Sequence, residues 1–340
     1  MDLKALAQRL SLSTTTVSRA LNGYADVSEK TRQRVVEAAR ELGYQPNPIA
    51  RGLAMGRANA IGIVHPLEHG DVADPRFLEV VAGLTEGLAP AHIDLLIASA
   101  THKGELDTYD RLIQGRRVDG FILARTLCHD PRIDYLRESG IPFLAYGRSK
   151  HCEHYPWFDF DNEAGTVLAV ERLAELGHRH IGYIHASLQY NFAYQKHAGF
   201  LRAMAAHGLP LEEDWIRPAS LARSSGHAAM TSLLDLRQRP SAVIIDNNLA
   251  GEGALRALLD RGIRLGQDLS VIVYDGIPPD TLLSGFAVTS IIQPTQQRTG
   301  LTMAGMIQRV LRGDYPLSEV QVLCQPVLQA GVSDGPPSLI

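Results

Sequence analysis

Between Thr14 and Asn22 the chain places three threonines, a serine, an asparagine and one arginine within nine residues. Hydroxyls donate or accept single hydrogen bonds, and a guanidinium presents a planar fork of donors. If the segment is helical, Val17, Ala20 and Leu21 face inward, while Thr14, Thr15, Ser18 and Arg19 face a partner. A second set is dispersed over the rest of the chain: Phe77, Arg125, Arg148, Trp157, Asp161, Lys196, Asp246 and Asp275, with amides and further aromatics beside them. Carboxylates, cations and aromatic faces brought to one cleft suit a polyhydroxylated ligand, because hydroxyls take paired hydrogen bonds while sugar rings stack.

The first set needs short helices to hold it. Leu3, Leu6, Ala7 and Leu10 recur at helical spacing, Ser11-Leu12-Ser13 interrupts them, and Ser13 is a suitable N-cap for a second helix. Asn22-Gly23 has turn chemistry. Ser28 then caps a third helix over Glu29–Leu42, with Val35, Ala39 and Leu42 on one face and Arg32, Arg34 and Arg40 off it, stopped by Gly43. Helices this short are unstable alone and must share one small core. The layout is that of a helix-turn-helix, whose second helix enters the DNA major groove. Asn47 and Pro48 can start a further helical turn as far as Ala54, weakened by Gly52 and formed only when a partner supports it. Leu53 would then be an apolar wedge for a minor-groove step, in a segment that otherwise reads as a plain linker.

The second set needs a different scaffold. From Ala60 onward, short apolar strands alternate with longer helices. The strands are expected near 61–64, 93–98, 120–123, 142–146, 180–184, 242–245 and 270–274. The helices are expected near 77–88, 106–114, 131–138, 164–176, 194–207, 229–236 and 250–261. Repeated βα alternation implies parallel sheets with helices on both faces, and ligands in such sheets bind at the carboxyl ends of the strands. The dispersed polar residues occupy those strand ends. For any one of them, ordinary strand-end polarity is the competing reading.

Composition narrows the function classes. The chain has 340 residues, is 45% hydrophobic and carries a net charge of −4. Residues 1–60 hold two Lys and seven Arg against two Asp and three Glu, a balance of +4, which leaves −8 for the remainder. A basic head on an acidic body implies that only the head meets phosphate. No apolar run is long enough for a membrane span, and Met1-Asp2-Leu3-Lys4 has no signal-peptide pattern. Cys128, Cys152 and Cys324 are scattered without zinc-type spacing, which fits a reducing, cytoplasmic compartment. No GxSxG, HExxH or phosphate-loop motif is present, so no catalytic residue, cofactor or metal is expected. His178 and His180, in GHRHIG, read as a turn before a strand in preference to metal ligands.

The segment LSLSTTTVSRALNG, followed by VSEKTRQRVVEAARELGYQPNPIARGLA, resembles the DNA-binding head and hinge of the LacI/GalR family of bacterial transcription regulators. DPRFLEV, AYGR, FDNEAG, the LGHR block, DNNLAGEGAL, IVYDG and TSIIQP follow that family's core in order. The resemblance implies an all-α helix-turn-helix head with a hinge helix, and an α/β periplasmic-binding-protein-like core of two parallel-sheet subdomains. The corresponding divisions are 1–44 for the head, 45–59 for the hinge and 60–340 for the core. Within the core, an N-subdomain takes 60–160 and 289–317 and a C-subdomain 161–288 and 318–332, joined by crossovers near 160, 288 and 318.

By position, the resemblance implies base reading by Thr14, Thr15 and Arg19, with Arg19 suited to guanine O6 and N7. Thr16, Ser18, Asn22 and Ser28 become phosphate contacts, Asn47 and Ala50 hinge contacts, and Leu53 the wedge. Arg148, Asp161, Lys196, Asp246 and Asp275 fall where the family contacts its effector. Lys196 stands where Arg is usual, and Asp246-Asn247 reverses the usual Asn-Asp order. Trp157 ahead of Phe158-Asp159-Phe160-Asp161 is similar to repressors of α-glucoside and disaccharide use, although Trp157 also suits a dry core. The implied protein is a homodimer on a pseudo-palindromic operator, bacterial, cytoplasmic and nucleoid-associated when bound. Its operator affinity is switched by a mono- or disaccharide, or alternatively by a nucleobase or phosphorylated metabolite. The tail after Ala330 lacks heptads, so no tetramerising coiled coil is expected.

Overall fold

The computed structural model describes residues 2–44, 56–66, 75–101, 104–277, 287–313 and 315–338. The expected hinge contacts Asn47, Ala50 and Leu53 lie outside the described residues. The described chain divides into a head, which includes residues 1–59, and a core, which begins at Ala60.

In the head, α1 (Leu3–Leu10), α2 (Thr14–Leu21) and α3 (Glu29–Glu41) each begin at a capping side chain. Asp2 accepts from the Ala5 amide at 2.8 Å, Ser13 from Thr16 at 3.0 Å and Ser28 from Thr31 at 3.3 Å. Each cap satisfies a helix-start N–H that has no intrahelical acceptor. The three apolar stripes meet in a core of Leu6, Ala7, Leu10, Val17, Ala20, Val27, Val35 and Ala39.

The core contains two six-stranded sheets. The first has the order β11-β5-β4-β3-β1-β2, all neighbours parallel. Its strands are β1 (Ala60–Pro66), β2 (Asp94–Ala100), β3 (Gly120–Ala124), β4 (Phe143–Tyr146), β5 (Trp157–Phe160) and β11 (Gln321–Cys324). The second has the order β12-β10-β9-β8-β6-β7. It comprises β6 (Ile181–His185), β7 (Ile216–Pro218), β8 (Ala242–Ile245), β9 (Ser270–Tyr274), β10 (Ser290–Ile292) and β12 (Val327–Gln329). Among the described strands only β12 runs antiparallel, so the second sheet is mixed at one edge.

The helices of the first sheet are α4 (Pro75–Leu88), α5 (Glu105–Gln114), α6 (Pro131–Glu138) and α11 (Gln296–Arg312). Those of the second are α7 (Asn162–Glu175), α8 (Asn191–Ala206), α9 (Arg223–Leu234) and α10 (Asn248–Asp260). α4 and α11 pack so closely that a Cβ on Gly300 would lie 2.3 Å from the Val80 carbonyl oxygen, and one on Gly83 2.1 Å from that of Gln297. Only glycine permits that approach.

The chain passes between sheets at Asp161, between Ile292 and Gln296, and between Cys324 and Val327. The second and third passages differ from the expected 288 and 318. Ser290 and Ile291 pair with Val273 and Tyr274, which keeps β10 in the second sheet. Gln321–Cys324 pair with Trp157–Phe160, which keeps β11 in the first. Runs of three or four residues carry little periodicity, so β5, β7, β10, β11 and β12 have no counterpart among the expected elements, while β4 and β8, equally short, stand out as continuous apolar runs. The helix α11 has no expected counterpart either. α9 also begins at Arg223, six residues before its expected start.

Candidate functional sites

The described head carries one groove, lined by Leu3, Thr14, Thr15, Ser18, Arg19, Asn22 and Tyr24. Five of the residues expected to touch DNA therefore meet on one surface. Thr16 and Ser28 do not line it: Ser13 and Thr16 share a hydroxyl bond of 2.8 Å at the start of α2, and Ser28 does the same with Thr31 at α3. Asn22 donates to the Ser18 hydroxyl at 3.4 Å, and its own Oδ1 is buried without a hydrogen-bond partner among the described residues. Arg19 pairs with Asp26 at 2.8 Å, and its guanidinium lies 5.1 Å from the centre of the Tyr24 ring. Leu3, Tyr24 and Asp26 are the contributors the sequence reading missed.

In the core, a cavity of about 200 Å³ lies at the carboxyl ends of the strands and takes its lining from both sheets. Phe77, Arg125, Lys196 and Asp275 line it, joined by Arg76, Asp159, Phe192, Asn247 and Gln296, among others. Phe77 stacks on His65 at 4.6 Å with ring planes 14° apart.

Lys196 is buried. Its Nζ donates to the Asp246 carbonyl oxygen at 2.8 Å and sits 3.6 Å from the centre of the Tyr274 ring. Burial pulls the ammonium below the ordinary lysine range, against the opposing fields of Asp275, Asp246 and Asp159. Asp275 has a φ of +65°, in the left-handed region, and its Oδ1 is buried without a hydrogen-bond partner among the described residues. A non-glycine residue held there costs about 1–3 kcal/mol, and such strain clusters at ligand sites. The unmatched acceptor beside it is the kind of group a ligand hydroxyl completes.

Four expected contacts do not line the cavity. Asp161 caps α7, accepting from the Ala164 amide at 3.0 Å. The carboxylate that reaches the cavity is Asp159, two positions earlier on β5. Arg148 lies behind it, donating from Nε to Asp159 Oδ2 at 2.8 Å. Trp157 stacks behind Arg148, 5.2 Å from its guanidinium, and donates its indole N–H to the Cys152 carbonyl. Asp246 is fully buried, accepting from the Ala186 amide at 2.8 Å and the Asn247 side chain at 2.7 Å. Burial pushes the Asp159 and Asp246 carboxyls above the ordinary range, opposed chiefly by Arg148 and Lys196 respectively.

Arg125 owes its place to a buried network on the far side of its loop. Arg132 donates to Asp130 through Nε (2.9 Å) and Nη2 (2.7 Å), to Glu105 through Nη1 (2.9 Å), and to the Arg125 carbonyl at 3.0 Å. Asp130 in turn accepts from the Leu127 amide at 3.0 Å. The same loop ties the two sheets' subdomains together. The Asn191 amide donates to the Thr126 carbonyl, and the Cys128 amide to that of Gln189, both at 2.9 Å. The segment that carries a cavity cation is thus also the strap between the lobes.

Residues 2–47 match the family described as bacterial regulatory proteins, lacI family, and residues 58–320 match periplasmic binding proteins and sugar binding domain of LacI family. The chain belongs to the LacI family. The transcriptional regulator RafR of Escherichia coli is 38% identical over 99% of this chain and 100% of its own length. AglR of Rhizobium meliloti (strain 1021) is 35% identical over 94% of this chain and 91% of its own. The transcriptional repressor PurR of Erwinia tasmaniensis is 30% identical, with 98% and 97% covered. The solved complex of the transcriptional regulator CelR with cellobiose superimposes with a TM-score of 0.72 at 28% identity, covering 98% of this chain and 99% of that one.

This LacI-family chain is accordingly a DNA-binding transcriptional regulator with an effector-binding core, and the family's members are regulators, not enzymes. They bind operator DNA and small-molecule effectors as dimers. No helix among the described residues is long and apolar enough to cross a membrane.

Proposed function

We propose that the effector is a neutral mono- or disaccharide and that the protein represses sugar-utilisation genes, releasing its operator when the sugar binds. The observation that carries this reading is the Oδ1 of Asp275, buried without a hydrogen-bond partner among the described residues, in a cavity that also offers Lys196, Asp159, Arg125, Asn247 and the face of Phe77. Hydroxyls both donate and accept, so they satisfy carboxylates and cations together. A phosphorylated ligand would be drawn to Arg76, Arg125 and Lys196 but would meet Asp159 and Asp275 with like charge. At about 200 Å³ the cavity is below the roughly 300–1,000 Å³ of drug-sized sites, which favours one seated ring with any second ring projecting outward. The similarity to CelR, solved with cellobiose, supports the same class, while the similarity to PurR keeps a nucleobase as the competing reading.

In this reading residues 1–44 form the DNA-binding domain, 45–59 the hinge and the remainder the sensor. Thr14, Thr15, Ser18, Arg19 and Asn22 meet a pseudo-palindromic operator in the bacterial cytoplasm. The sugar favours one arrangement of the two lobes, and the operator favours the other. Each must then weaken the other's binding by the same factor. A thermal-shift panel of glucosides, galactosides, cellobiose, purines and sugar phosphates tests it. Stabilisation by a neutral sugar, matched by operator release, is the expected result. Stabilisation by a purine or a sugar phosphate alone would overturn it.

A further inference from the structure

We infer that Asp26 is a positioning residue for sequence reading: it holds the Arg19 guanidinium side-on, so that Arg19 meets one guanine end-on. The inference rests on the reading of Arg19 as the base contact. Asp26 Oδ1 accepts from Arg19 Nε at 3.1 Å and Oδ2 pairs with Nη2 at 2.8 Å. That engages the Nε/Nη2 edge of the fork. The Nη1/Nη2 edge keeps two parallel N–H groups, the pattern that guanine O6 and N7 accept in the major groove. Tyr24 covers one face of the same guanidinium at 5.1 Å.

The support is itself anchored. Tyr24 and Asp26 belong to the loop between α2 and α3, where the Tyr24 amide donates to the Arg19 carbonyl at 3.1 Å. The Tyr24 carbonyl accepts from the Val27 amide at 3.2 Å and from Arg32 Nη2 at 3.1 Å. Val27 is sunk in the head core. Arg19 and Asp26 side chains are about half exposed, 45% and 51%. An exposed pair of this kind adds little to folding. Its effect belongs to the bound state, where the groove excludes water and the same contact strengthens. An arginine already restrained also loses less rotamer freedom on binding. Asp26 meanwhile adds a negative charge near the phosphates, which opposes DNA binding of every sequence.

These two effects have opposite signs, and that separates them. The full-length protein first selects duplexes from a randomised pool, and Arg19→Ala identifies the base pair that Arg19 reads as the one whose preference disappears. Asp26→Asn is then expected to lower guanine preference at that pair by about 10-fold, within the range of one bidentate contact. Preference at the other pairs should be unchanged, and binding to a random-sequence duplex equal or up to a few-fold tighter. Asp26→Ser should behave alike, and matched melting temperatures would exclude an effect through folding. Retained guanine preference in both variants, or equal loss at every pair, overturns the role of Asp26. Retained guanine preference in Arg19→Ala overturns the reading of Arg19 as well.

Discussion

The head groove and the core cavity are built in opposite ways. The groove draws all its lining from residues 3–24: α2, the loop after it, and Leu3 at the start of α1. The cavity draws its lining from residues 65–296, so segments far apart in the chain must meet. At the groove's edge the charged pair Arg19–Asp26 is half exposed, and a pair of that kind adds little to folding. In the cavity, Lys196 and Asp159 are buried, and each is held by a partner from another segment: Lys196 by the carbonyl of Asp246, itself buried behind the cavity, and Asp159 by Arg148. A surface site can change its specificity cheaply. A buried site changes its stability along with its ligand.

The largest test of that contrast lies behind the cavity. Arg132→Met strands Asp130 and Glu105 in a buried site, and losing one partner of such a network costs about 3–5 kcal/mol. Urea unfolding of the core should shift accordingly, and sugar binding should weaken as Arg125 and the strap between the lobes lose their anchor. Equal stability to wild type would mean that the network is decoration. Arg19→Ala is next, removing about 1–3 kcal/mol of base discrimination per half-site while leaving sugar affinity and core melting unchanged. Fluorescence anisotropy with selected and random duplexes measures it, and an accompanying drop in core melting would break the contrast.

Asp275→Asn is smaller and confined to the ligand. It keeps the shape and weakens a charged hydrogen bond, so sugar affinity should fall about 10- to 100-fold by calorimetry, the range of 1.5–3 kcal/mol for such bonds. Operator affinity without sugar should stay the same. Trp157→Phe is the matching control, expected to leave sugar affinity within about 3-fold because its indole stacks behind Arg148 and not in the cavity.

The smallest effect is a pH dependence at His178. Its Nε2 lies 2.8 Å from the Gly335 carbonyl, which can only accept, so Nε2 carries the proton; Nδ1 then accepts from the Ser241 hydroxyl at 2.8 Å. Burial holds the imidazole below its ordinary pKa of 6.5. The unfolded chain therefore binds the proton more readily, and folding stability is lost as pH falls from 6.5 through the depressed value. His178→Gln should flatten that slope in thermal melts between pH 7 and 5. An unchanged slope would assign the loss to other groups.

Much of this was legible because it is local. The caps Ser13 and Ser28 were identified from sequence, as were the three apolar stripes of the head and the strand near 270–274. Each is set by residues within a turn or a strand of one another, where spacing and capping chemistry act directly. The ordered family motifs added the two-lobed core.

Tertiary structure alone decided what depends on partners distant in the chain. β5 ends at Phe160, so Asp159 still stands on the strand and reaches the cavity, while Asp161, one residue past it, accepts from the Ala164 amide as the N-cap of α7. Arg148 and Trp157, expected with Asp161 around the ligand, instead support Asp159. Phe77, Arg125, Lys196 and Asp275 could be named from the sequence, but only the folded chain sets them around one space. Periodicity and capping mark the head helices and most of the longer βα elements of the core. The pairing of β10 with β9 and of β11 with β5 decided where the chain changes lobes, because hydrogen-bond partners, unlike periodicity, are not written within a four-residue strand.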